Sequence, residues 1–150
     1  MSASIAHPAS PLSRQPDRRS AHWPTDILRA SLLLGCLASV VAAAWLGEPS
    51  ASLKADPELA LMLRGMAAIK GTIVVSVVGV LLWRFGHALP NRAAAACLAG
   101  AWCMTGATVL VWQLSFIPLA ALVFHVGEFV LLVTAWREHR SGLQPARTAG

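Results

Sequence analysis

Charge is scarce in this chain. Only 13% of its 150 residues are Asp, Glu, Lys or Arg, against about 25% in an ordinary soluble domain. Apolar residues make up 56%, and the mean hydropathy is +0.60. That balance describes a membrane protein. The basic residues are not gathered into a stripe, so no nucleic-acid partner is implied. They lie between and beyond the apolar runs, a pattern that carries topology.

Other absences narrow the chemistry. Three cysteines, Cys36, Cys97 and Cys103, sit inside apolar runs and form no CxxC and no even-numbered disulfide framework. They read as small buried residues in helix packing. There is no nucleophile elbow, P-loop or dinucleotide fingerprint, and no soluble segment large enough to carry one. Paired carboxylates are missing, and His125-x-x-Glu128 reverses the Glu-x-x-His order of di-iron bundles. Only His125 of the five histidines falls inside an apolar run away from its ends, so bis-histidine haem is not expected. No metal and no cofactor are expected. A single-ligand haem or chlorin at His125, or a soft copper site from Cys36, Cys103, Met104 and His125, is a paper construction that no spacing favours.

What is present is four long apolar runs. They predict helices over about residues 27–47, 57–85, 92–113 and 117–136, each near the ~20 residues that cross a ~30 Å hydrocarbon layer. Asp56-Pro57-Glu58 is a strong start signal for the second, with an N-cap acid, Pro at the first position and a carboxylate in the first turn. Trp23, Trp45, Trp83, Trp112 and Trp136 fall at run ends, as an aromatic belt requires, and only Trp102 lies deep. The expected fold is all-α: an integral membrane four-helix bundle over residues 25–137. Residues 1–24 and 138–150 are expected to be disordered cytoplasmic tails, the first rich in Ser, Pro and Arg.

Loop charge sets the orientation. Arg14, Arg18, Arg19 and Arg29 precede or open the first run, Arg84 and Arg92 flank the second loop, and Arg137, Arg140 and Arg147 follow the last run. The first loop carries Glu48, Asp56 and Glu58 against Lys54, and the third, Leu114-Ser115-Phe116, has no charge. The positive-inside rule places both termini in the cytoplasm. A bacterial inner membrane is the simplest location. The Arg- and Ser-containing tail leaves a mitochondrial alternative, weakened by Asp17. The first run, about 20 residues, exceeds the 7–15 of a signal peptide. It is therefore expected to be retained, although Ala42-Ala43-Ala44 imitates a cleavage site.

The candidate site is an intramembrane polar layer of Lys70, His125 and Glu128. A charge at the bilayer centre costs about 2.5–3.5 kcal/mol even on the permissive insertion scale, so such residues mark function by default. Counting 1.5 Å per residue from the helix edges, Lys70 lies about 9 Å deep, His125 about 12 Å and Glu128 about 16 Å. Arg64 marks the interface above Lys70. Cys36 and Ser39 on the first helix, and Cys103 and Thr105 on the third, offer polar or soft atoms at matching depth. An ion pair between Lys70 and Glu128, with His125 and Glu128 facing the bundle interior, is the sharp expectation. The plainer one lets Lys70 snorkel, keeps Glu128 protonated as an interhelical donor, and gives His125 a structural hydrogen bond.

Two small-residue rows on the third helix, Ala95-Ala99-Cys103-Ala107 and Ala96-Gly100, are expected to be packing faces. Three functions fit these features. The first is an accessory or assembly subunit of a larger membrane complex, surrounded by lipid and joined to other membrane subunits or to copies of itself. The second is a small transporter or proton-translocating component using the polar layer. The third is a membrane redox or lipid-modifying enzyme.

Overall fold

The computed structural model describes residues 23–48, 56–87 and 89–142. Apart from Trp23, Pro24 and residues 138–142, both proposed tails lie outside the described residues. Four helices account for nearly everything described: α1, Thr25–Leu46; α2, Pro57–Arg84; α3, Asn91–Trp112; and α4, Ile117–Gly142. Each contains a window long and apolar enough to cross a membrane. The protein is a multi-pass membrane helical bundle.

Local signals set the helix ends. Asp56 caps α2, its side chain accepting from the Leu59 backbone N–H at 3.1 Å, with Pro57 at the first position. At the start of α1 the cap position is Pro24, with no side-chain bond. The tight turn after α3 is a Schellman motif without glycine. The Leu114 N–H reaches the Val111 carbonyl and the Ser115 N–H reaches the Leu110 carbonyl. Leu114 takes φ 61°, a position glycine usually fills. Leu114 and Ser115 are both buried, so side-chain packing holds this left-handed leucine in place.

The last helix corrects the expected boundary. α4 does not stop near Trp136 but continues to Gly142. Arg137, Glu138, His139 and Arg140 are adequate helix formers, and His139 and Arg140 in the last turn suit the negative end of the helix dipole.

The bundle is built around α3, which packs against each of the other three helices. Half of its apolar window is buried (50%), against 17% for each of the others. Near the α1 start and α2 end, Leu28 and Leu32 pack with Leu81, Phe85, Leu98 and Ala101. Toward the other end, Ala67 and Val74 of α2 meet Met104, Ala107 and Val111 of α3 and Ala120 and Phe124 of α4. The buried positions of α2, Ala67, Val74 and Leu81, recur every seven residues, a seam turned toward α3.

Glycine decides how closely α3 and α4 approach. A β-carbon on Gly127 would stand 2.8 Å from the Gly100 carbonyl oxygen, and one on Gly100 would stand 3.0 Å from the Gly127 carbonyl oxygen. Backbones meet there because neither residue has a side chain. Gly35 plays the same part under the Trp102 ring, which would overlap any β-carbon at that position. Of the expected small-residue rows, Ala107 and Gly100 are buried, but Ala95, Ala99 and Cys103 are exposed. Among the described residues nothing covers the side chains of Ala95 and Ala99, while the β-carbon of Cys103 lies beside Gly127.

Candidate functional site

α2 and α4 both rest on α3 and leave a groove between them. Lys70 Nζ lies 4.6 Å from the Phe124 ring centroid, and Arg84 bonds Glu138 at 2.9 Å. Both pairs are 54 residues apart in sequence. A constant offset over fourteen residues, roughly 21 Å of helix, means that α2 and α4 run parallel and in register. Val77 and Leu131, halfway along with the same offset, both line the groove.

At one end lies the expected polar group. Lys70, Phe124, His125 and Glu128 line a cleft of about 320 Å³ together with Met66 and Ile69. His125 Nδ1 is 3.4 Å from Glu128 Oε2, a hydrogen bond when that nitrogen carries the proton. Phe124 supplies the ring face under the Lys70 ammonium. Lys70 forms no ion pair among the described residues, so proximity to Glu128 is observed and direct pairing is not.

The described residues do not enclose the layer. The side chains of His125 and Glu128 are 66% and 44% exposed. The inward face of α4 is instead Ala120, Phe124 and Gly127, with Leu131 packed beside them. Val123 is partly buried against the same core, whereas Val126 is exposed. The physical reason is the Gly100–Gly127 contact. Close backbone approach fixes the rotation of α4, and that rotation carries the polar pair outward onto the rim of the groove.

The supporting residues do not join this group. Arg64 is exposed on α2, and Cys103 is exposed on α3 at the edge of its contact with α4. Cys36 and Thr105 meet each other on the α1 side, where the Thr105 hydroxyl lies 3.5 Å from the Cys36 sulfur while donating to the Ala101 carbonyl at 2.8 Å. Ser39 donates to its own helix at Gly35. Among the described residues no three His, Cys, Asp or Glu side chains come together as a metal site. The copper arrangement is thus not assembled.

The other end of the groove was not foreseen from the sequence. Glu138, assigned to the tail, is an α4 residue whose carboxylate bridges to Arg84 of α2. Its second oxygen, Oε1, is buried with no hydrogen-bond partner. Glu138 and Arg84 line a cleft of about 540 Å³ together with Arg92, Arg137, Thr134 and Pro90. The available signal was the seven-residue spacing. Glu138 stands fourteen residues after Phe124, as Arg84 does after Lys70.

Compared with known protein families, curated proteins and solved structures, the chain finds no match in any of the three.

Proposed function

We propose that this protein is an accessory or assembly subunit that joins a larger membrane complex through the Lys70 end of the α2–α4 groove. One observation carries the reading: His125 and Glu128 stand near the middle of a membrane-length helix and point out of their own bundle. Facing hydrocarbon, such a group costs about 2.5–3.5 kcal/mol. A neighbouring protein helix that supplies hydrogen bonds removes most of that cost, as interhelical polar contacts do in membranes. Lys70, on the opposite rim, adds a cation to the same contact surface. A transport pathway has less support, because the polar groups form an open rim and not an enclosed conduit.

The test is purification of the full chain in a mild detergent. The wild type should elute in an assembly larger than the 15.8 kDa chain. The double variant His125→Leu/Glu128→Leu should elute as a monomer with an unchanged thermal midpoint, since neither side chain fills the core. A monomeric wild type would refute the proposal.

The proposed setting is a bacterial inner membrane with both termini cytoplasmic, supported by the basic bias at Arg84, Arg92, Arg137 and Arg140. A periplasmic phosphatase fused after Gly150 should be inactive, and an active fusion would reverse the orientation.

A further inference from the structure

The Arg84 end of the α2–α4 groove combines an apolar trough with a basic mouth, and we infer that it holds one anionic glycerophospholipid. The trough is a cleft of about 470 Å³ whose walls include Ile73, Val77 and Val80 of α2 and Leu131, Leu132 and Ala135 of α4. From Ile73 to Arg84 it runs eleven residues, roughly 16 Å of helix. That is close to half of the ~30 Å hydrocarbon thickness, the depth one leaflet's acyl chain must cover.

The trough opens into the cleft formed by Arg84, Arg92, Arg137 and Glu138, and Arg84, Thr134 and Glu138 belong to both. Arg84 and Glu138 offset each other, and Arg92 beside them leaves this mouth positive. Basic pockets between membrane helices take anionic headgroups for that reason. Arg84 is already engaged by Glu138, so Arg92, exposed on the first turn of α3, is the principal phosphate ligand, with Arg137 beside it. Glu138 itself would repel a phosphate. Net charge therefore makes the choice, the guanidinium excess favouring anionic phosphatidylglycerol over the zwitterionic ethanolamine and choline lipids. Trp136, stacked under Arg140 at 3.9 Å, and Trp83 mark this level of the molecule as interfacial. An acyl chain also explains how an apolar trough stays filled where α2 and α4 do not close on each other.

This lipid site does not rest on the subunit reading, whose contact surface is the Lys70 end. The experiment is native mass spectrometry of the detergent-purified full chain, titrated with phosphatidylglycerol, phosphatidylethanolamine and phosphatidylcholine of identical acyl chains. One phosphatidylglycerol should be retained with a roughly five- to tenfold preference over the other two. Arg92→Gln should erase the preference. Ala135→Trp, which fills the trough from an exposed position, should reduce retention of all three. The His125→Leu/Glu128→Leu variant should keep the preference, which separates this site from the partner surface. Equal retention of the three lipids, an unaltered preference in Arg92→Gln, or displacement of phosphatidylglycerol by glycerol phosphate alone would each overturn the inference. So would a co-purifying protein chain that excludes the lipid.

Discussion

Replacing Gly127 with leucine should part α3 from α4 and lower stability by about 3 kcal/mol, at the upper end of what overpacking usually costs. The β-carbon alone would stand 2.8 Å from the Gly100 carbonyl oxygen and 2.9 Å from Met104 Cγ. The first is backbone and cannot rotate away. The remaining atoms of leucine have nowhere to go unless the helices separate. In detergent the thermal midpoint should fall by roughly 10 °C on the usual scaling for a chain of this size. Gly79→Leu is the control, because nothing lies within 4 Å of a β-carbon there. That variant should melt at or slightly above the wild-type temperature, since leucine is the better helix former. Equal losses in both variants would show that Gly127 is not a close contact.

The second large effect is at Phe124. Its ring is 3% exposed in the core shared by α2, α3 and α4, and it also carries the Lys70 ammonium 4.6 Å from its centroid. Phe124→Ala should cost about 2–3 kcal/mol, below the 3–5 usual for soluble cores, because lipid removes the water-transfer part and leaves the packing part. Phe124→Leu keeps much of the volume and discards the ring. Its cost should be about 1 kcal/mol, and Lys70→Met should largely abolish that ring-specific part, as expected of a cation–π contact. If the alanine and leucine variants melt together, the ring contact contributes nothing, and Lys70 is placed by its aliphatic stem alone.

These two residues also show what the sequence could and could not say. Helix existence was readable because it is local: apolar length, the Asp56 cap and Pro57 are written in consecutive residues. Helix rotation was not. In water an amphipathic stripe marks the inward face, but a membrane helix is apolar all round and carries no such stripe. The polar residues of His125-Val126-Gly127-Glu128 looked like the inward-facing feature. The inward-facing feature is the glycine between them, seated on Gly100. Glu138 was hidden for a different reason. It lies beyond the apolar run, and only the parallel register of α2 and α4 brings it to Arg84. Cys36 and Thr105 were placed at one depth and do meet, while Cys103, at similar depth, turns outward. Depth follows from counting residues along a helix, whereas azimuth depends on which neighbours pack against it.

The central claim is that protein, not lipid, covers His125 and Glu128 in the native membrane. Spin labels at single cysteines, in a background lacking Cys36, Cys97 and Cys103, report this through their accessibility to a lipid-dissolved relaxation agent. Leu122, 61% exposed on α4, is the reference position. Labels at 125 and 128 should be protected in native membranes and become as accessible as the label at 122 once a harsh detergent has stripped the chain of its partner. Labels at 125 and 128 as accessible as that at 122 in the native membrane would contradict it.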